Sequence, residues 1–570
     1  MAQTVFPSTS YPSAPLDPPV RDNLAPSPDR PFELGLVMAG AVSAGAYTAG
    51  VCDFLIEALD AWHHAQTHHP ETTPPHQVTL RVITGASAGG INAALWAAAL
   101  PYAFPPVRWG DQDKAPATGN PFFYAWVNAL DLASFLSLTD LAAGPLASLL
   151  NTSPLDEIAY AALRLPEAFP PKDRPFVDPS LAIYLTLTNL RGIPYWSGMT
   201  GNRDGGYGMQ MHRDYQRFVI QAQKGSEIRQ DDHALPFPVS QHAAAWSVLA
   251  DAALGCSAFP GAFRARRLVR PHADYAHRTA VQYDLNRALY AVVPPFFDTK
   301  ESAYSFWAVD GGAMDNEPLE LARQHLSGMF GTNPRGGLQA LRATVLVDPF
   351  PEMDMSEPAP ESLSLGQTFT GLMRAWKYQA RFHPEDIGLA RAETVYSRFL
   401  ISPSRHETET SHGMHLASSM LSGFGGFLDR SLRVHDYILG RRNAQRFLTH
   451  HLTLPEAHPL FAKWSPAQKD QYRTVQPRAD FPHQLPIIPV VPAAAAENIL
   501  QPWPKITPST QDLVAGVMKR LNAVYFKVLE DQKVPKMQQL YLGPLRRAAM
   551  ASMETKLLTL IQQARNTSGF

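Results

Sequence analysis

A mainly parallel sheet covered by helices, an α/β fold, is predicted for this chain by three stretches in which a strand turns directly into a helix. FELGLVM (32–38) leads through small residues into AGAVSAGAYTAGVCDFLIEALDAW. TLRVITG (79–85) leads through ASAGG into INAALW, and FWAVD (306–310) leads through two glycines into NEPLELARQHL.

The second stretch organises the rest. Its β-branched run breaks at Gly85 and restarts at once as a helix, with Ser87 at the apex of a GxSxG turn. Gly85 and Gly89, with Ala86 and Ala88, leave room for a tight elbow, and the helix N-terminus behind Ser87 offers N–H groups and a positive dipole end to an oxyanion. With 36 glycines in 570 residues, a chance GxSxG is expected in on the order of a tenth of such chains. The flanking strand and small-residue helix are what mark Ser87 as a nucleophile rather than part of a structural turn.

The first strand opens into a loop, Gly40 to Gly45, of the kind that aims backbone N–H groups at a phosphate or an oxyanion; close helix–sheet packing is the plainer alternative. Ala41 to Gly45 also imitates the elbow around Ser43, but Ala41 stands where the first glycine belongs. Residues 64–78 read as a solvated loop: beside His63, His64, His68, His69 and His76 there is one carboxylate, Glu71, and no cysteine, so no metal is expected. Phe122 to Leu165 reads as two or three short helices over the core, placed as a lid or acyl-binding wall would be, with plain core packing as the alternative. LAIYLTLTNL (181–190) is a strand, Tyr195 to Tyr215 a hairpin, and SVLADAALGCSAF a small-residue helix ending near Pro260. Asp310 closes a strand and is freed by Gly311 and Gly312, which is how an α/β sheet presents a base at its ligand edge; DGG is otherwise a common turn.

LRATVLVDPFPE (341–352) is a further strand, and 366–383 and 424–452 are amphipathic helices in which Arg441 and Arg442 read as solvated or paired residues. From Trp503 to Phe570 ten Lys and Arg stand against four acids. Val514, Val517, Met518, Leu521, Tyr525, Val528 and Leu529 share one helical face there, suited to docking on the main body or to resting on an anionic membrane. The whole chain, at a formal net charge of -2, has no field to attract nucleic acid, and no such partner is expected. Cys52 and Cys256 lie in apolar stretches and are expected as buried thiols of a reducing compartment, a single bridge being the alternative. Residues 1–30 lack an apolar signal core and read as a disordered tail. No run of 18 apolar residues suggests a membrane span, so a cytoplasmic location with peripheral membrane contact is expected.

GASAGG with Ser87, AVDGGAMDNEP with Asp310, GCSAFPGAF and YLTLTNL together resemble the patatin-like phospholipases of bacterial type. The resemblance spans roughly residues 32–350. It implies a dyad without histidine, in which the aspartate takes the serine proton and the serine forms an acyl-enzyme that water resolves. Residue by residue it assigns Ser87 as nucleophile, Asp310 as base with Gly311 and Gly312 following, Gly85 and Gly89 to the elbow, and Gly40, Ala41 and Val42 to the oxyanion-hole loop. Asp310 follows Ser87 at a distance of 223 positions, a long separation for the family. The family's oxyanion loop is a glycine run with a basic residue before its last glycine. Anchored on Gly45, Ala46 and Tyr47, this chain lacks two of the glycines and the basic side chain, which puts the loop's backbone shape in question although an N–H donor needs no particular side chain.

The expected organisation is a tail (1–30), a catalytic domain (31–350) with a helical insertion at about 121–165, a helical extension (351–481), a Pro-rich connector (482–508) and C-terminal helices (509–570). The expected activity is hydrolysis of a phospholipid or other lipid ester without metal or organic cofactor. Three alternatives stand beside it: a Ser-His-Asp esterase drawing on His325 or His435, acyl transfer on the same dyad, and a non-catalytic scaffold binding lipid or protein.

Overall fold

The computed structural model describes residues 21–567 apart from 115–118, 199–205, 221–228, 230, 277, 279, 284–288, 294, 296, 298–300, 330, 351–361, 382–383, 406–414, 475–477, 479–480 and 497–498. The strands are β1 (Phe32–Met38), β2 (Val78–Gly85), β3 (Val177–Gly198), β4 (Gly206–Ile220), β5 (Asp232–Leu235), β6 (Arg266–Arg270), β7 (Ala280–Tyr283), β8 (Leu289–Val293), β9 (Tyr304–Asp310), β10 (Arg342–Val347), β11 (Arg398–Ile401), β12 (Thr453–Pro455) and β13 (Gln484–Pro486). The principal helices are α1 (Gly45–His68), α2 (Ala88–Ala99), α3 (Ser153–Arg164), α4 (Ala243–Cys256), α5 (Leu319–Ser327), α6 (Leu365–Gln379), α7 (Pro384–Arg391), α8 (Arg430–His450), α9 (Pro466–Tyr472), α10 (Thr510–Asp531) and α11 (Lys536–Thr567).

The main sheet has nine strands in the order β11-β10-β1-β2-β3-β4-β5, with β9 paired to β3 and β6 to β9. From β11 to β3 every pairing is parallel. The near-continuous apolar runs of β1, β2 and β10 follow from burial on both faces by helices. β3 is longer than its apolar core suggests. It runs past the carboxyl edge of the parallel strands, and β9 descends beside this overhang in the antiparallel sense. Leu185 pairs with Gly85, and two residues further on Leu187 pairs with Asp310. The end of β9 therefore meets the end of β2 from the opposite direction.

The core does not stop at residue 350. β11 completes the parallel edge, and α8 lies across α1 at a point where two glycines meet: a Cβ on Gly50 would fall 1.9 Å from the Tyr437 carbonyl oxygen, and one on Gly440 2.1 Å from that of Tyr47. Arg441 is buried there, paired with Asp53 and Glu57. The Pro-rich stretch carries β13 and buries Ile487, Ile488 and Val491 in the same core as α1. It is a strap over the body, because its apolar residues have a groove to fill. Residues 1–20 of the expected tail lie outside the described residues. Arg21 is docked, its guanidinium on Glu33 and its N–H on the Ser327 carbonyl.

With the preceding turn, α1 is long and apolar enough to cross a membrane by length and composition, but it is packed inside the protein as a core helix. α10 docks through Leu513 and Val514 on Met420, Leu428 and Leu432, and its buried Arg520 pairs with Asp140 of the helical insertion.

His76, expected in solvent, is buried between Trp62 and Trp464. Its Nε2 lies 2.9 Å from the Ile487 carbonyl oxygen, and its Nδ1 accepts from the Trp464 indole at 3.2 Å. Burial lowers its pKa to about 3, and likewise lowers that of His458 to about 4. Below the unfolded-state value near 6.5 the unfolded chain binds protons that these folded rings refuse. Stability should thus fall as pH drops from 6.5 towards 4, by about 1.4 kcal/mol per pH unit for each histidine. Denaturant melts of wild type and His76→Gln over that range check this, and a loss no shallower in the variant would contradict it.

Candidate active site

The turn from β2 to α2 brings the chain back on itself so closely that side chains are excluded. A Cβ on Gly85 would lie 2.4 Å from the Gly89 carbonyl oxygen, and one on Gly89 2.1 Å from that of Met38. Between them Ser87 adopts φ 51, ψ -123, a conformation costly for a residue with a side chain. The elbow thrusts its Oγ away from the strand. Ser87 is 7% exposed and Asp310 4%, and the Ser87 hydroxyl donates to Asp310 Oδ2 at 2.6 Å.

Asp310 is fixed on three sides. Its Oδ1 accepts from the Gly312 N–H at 2.8 Å, its own N–H donates to the Ala258 carbonyl at 2.9 Å, and its carbonyl accepts from the Thr188 hydroxyl at 2.8 Å. Gly311 permits the turn to press on β3, where a Cβ would fall 2.3 Å from the Thr186 carbonyl oxygen. Asp315, further along the same turn, is half-buried and its pKa is raised by desolvation to about 6, against the pull of Arg213.

The loop after β1 lies against this pair. The Gly40 N–H is held by the Asn316 carbonyl at 3.1 Å, and a Cβ on Gly40 would come within 3.0 Å of Ser87 Cβ. The N–H groups of Ala41 and Val42 have no acceptor among the described residues, and the same holds for Ala88 at the start of α2. Three free donors therefore flank a buried hydroxyl. The question raised by the missing glycines has a direct answer: Val42 itself sits at φ 48, so the loop takes a glycine-like shape without the glycine. For a β-branched residue that strain is about 1–3 kcal/mol.

Ser43 is turned away from this centre. Its hydroxyl donates to the Gly423 carbonyl and accepts from the Gly426 N–H at 3.0 Å. His325 Nδ1 lies 3.2 Å from the Tyr184 hydroxyl, and His435 lies between Asp436 and Arg405, so both histidines of the Ser-His-Asp alternative are engaged elsewhere. Cys52 and Cys256 are free and buried; burial raises the pKa of the former to about 12 and pushes up that of the latter, with Asp310 adding to it. Among the described residues no group of three or more His, Cys, Asp or Glu side chains converges as metal ligands would.

Several residues around the site carried no recognised sequence signal. Asn316 and Glu317 lie in the AVDGGAMDNEP stretch, where the Asn316 amide donates to its neighbour Glu317, but the cation on Glu317 comes from far along the chain: Arg381 binds Glu317 at 3.0 Å, Asp348 at 2.6 Å and the Phe350 carbonyl at 3.1 Å. Next to Ala258, which holds the Asp310 N–H, Phe259 packs edge-on against Phe424, and Phe263 and Phe424 pack edge-on or tilted against the buried Phe135 and Phe427.

A parallel sheet thus carries a strained serine elbow, an aspartate against it and an N–H-lined loop at one edge of an α/β protein. The profile of the patatin-like phospholipase family matches residues 36–323, and the chain belongs to that family. At the level of the family this makes it a lipid hydrolase. It is also 33% identical over 539 residues to the uncharacterized protein y4iI of Sinorhizobium fredii (strain NBRC 101917 / NGR234), a similarity covering 86% of this chain and 75% of that protein. The similarity therefore reaches well past the family-matched region.

The strain at Val42 is testable by stability alone. At an ordinary loop position glycine is less stable than alanine, whereas at positive φ the order reverses. Val42→Gly is expected to be more stable than Val42→Ala by about 1 kcal/mol, read from chemical denaturation. The opposite order would mean that Val42 is relaxed.

Proposed function

We propose that the protein hydrolyses lipid esters through a Ser87–Asp310 dyad and an acyl-enzyme. The observation that carries this is the 2.6 Å hydrogen bond from the Ser87 hydroxyl to Asp310, made at a strained elbow beside unpaired N–H groups. Asp310 takes the hydroxyl proton as Oγ bonds to the ester carbonyl carbon, and the negative charge that develops on the carbonyl oxygen is met by the N–H groups of Ala41, Val42 and Ala88. Collapse of that intermediate expels the alcohol, which leaves with the proton from Asp310. Water repeats the sequence on the acyl-enzyme, its proton passing to Asp310 and on to Ser87. The half-buried rings of Phe259, Phe263 and Phe424 suit an acyl chain.

A fluorophosphonate probe followed by mass spectrometry of the labelled peptide tests this directly. Label should map to Ser87, vanish in Ser87→Ala, and form at least about a hundredfold more slowly in a folded Asp310→Asn. A folded wild type that never labels would favour a non-catalytic scaffold.

Contact with an anionic membrane is a second element of the proposal. α10 and α11 leave Met537 70%, Phe526 47%, Met553 47% and Leu560 48% exposed on the locally basic end of the chain. Because α10 is docked through buried residues, substitution tests this better than truncation. Met537→Ser/Met553→Ser/Leu560→Ser should release the protein from vesicles rich in anionic phospholipid while leaving its melting point unchanged, and raised salt should weaken wild-type binding. Undiminished binding by the variant would rule these helices out.

A further inference from the structure

The loop that presents the Ala41 and Val42 donors is held from outside the family-matched region. Ser43, fully buried, stands between Val42 and Ala44 and exchanges two hydrogen bonds with the segment 421–427: its hydroxyl donates to the Gly423 carbonyl and accepts from the Gly426 N–H. The fit is close. A Cβ on Gly426 would fall 2.7 Å from Ser43 Oγ, and one on Gly423 3.5 Å from Val42 Cβ.

The segment is rigidly mounted. Leu421, Ser422 and Gly423 follow one another at φ 55, 57 and 92, a run of left-handed residues that persists only where surroundings impose it. Those surroundings belong to α8: Arg433 donates to the Gly426 carbonyl, and Asp436 accepts from the Ala417 and Ser418 N–H groups and the Ser418 hydroxyl. α8 is in turn seated on α1 at the Gly50–Gly440 contact.

We infer that Ser43 is a positioning residue for the oxyanion-hole loop, and that the segment Leu421–Phe427 supplies the restraint that keeps Val42 in its strained, donor-presenting conformation. The inference rests on the dyad proposed above. With the latch removed, Val42 relaxes towards negative φ and its N–H swings off the position of the oxyanion. A glycine at 42 can hold the same conformation unaided.

The test uses the full-length protein with a fluorophosphonate and with p-nitrophenyl butyrate as probes. Ser43→Ala and Gly426→Ala, each alone and combined with Val42→Gly, are compared for labelling rate, kcat and KM, with melting points to establish folding. Each single variant should lose roughly tenfold or more in labelling rate and kcat at nearly constant KM. Val42→Gly should restore most of that loss, which a merely structural role for Ser43 would not produce. A folded Ser43→Ala that labels at the wild-type rate, or a loss that Val42→Gly leaves in place, overturns the latch. Should Ser43→Ala fail to fold, the Gly426→Ala pair decides in the same terms. A wild type that never labels at Ser87 overturns the dyad and the latch with it, whereas unchanged labelling in the variants overturns the latch alone.

Discussion

Two side-chain-bearing residues of the site, Ser87 at φ 51 and Val42 at φ 48, are held in left-handed backbone conformations, and the surrounding architecture is what holds them there. Each costs about 1–3 kcal/mol and persists only when its neighbours over-determine it. At Ser87 the glycines that permit the shape, Gly85 and Gly89, are close in sequence, and together with the end of β1 they leave no other path from strand to helix. At Val42 the restraining neighbours are remote, and position 42 carries no glycine that would have made the shape inexpensive. Its anchors are Asn316 on one flank and the segment around Gly423 on the other.

That difference explains why the chain beyond the family-matched region is part of the body. β11 closes the sheet edge, α8 crosses α1 with backbone against backbone, and the Pro-rich strap covers the apolar face beneath His76. A helix crossing at two glycines brings the axes closer than side chains allow, so the position of α8 relative to α1 is tightly set. Since α1 begins at Gly45, directly after the loop, whatever fixes α8 also fixes the loop's exit.

The elbow was legible because all of its determinants lie within eighteen residues: a β-branched run, small residues and a helix. Asp310 was legible for the same reason, as a strand end followed by two glycines. Its geometry was not, since nothing local reveals that β9 descends antiparallel on the overhang of β3. Ser43 looked like a competing nucleophile because its neighbours are small, and its actual partners stand 380 and 383 residues away. His76 read as solvated for a similar reason: polar and proline neighbours conceal a burial imposed by Ile487 and Trp464. The boundary expected near residue 350 followed the reach of the family resemblance, whereas the core continues through long-range packing that local motifs do not record.

The missing basic side chain is not replaced by Arg381. That guanidinium is committed to Glu317, Asp348 and the Phe350 carbonyl. In the proposed reaction, stabilisation of the oxyanion then falls on N–H dipoles and the start of α2, whose effect depends steeply on direction and distance. A cationic side chain tolerates misalignment because its charge acts in all directions, while an N–H turned by a few tens of degrees loses most of its value. A site relying on oriented dipoles therefore gains more from a rigid loop than one relying on charge. Mounting the loop on α8 through Ser43 is physically consistent with a loop that has neither a glycine at position 42 nor a cationic side chain of its own.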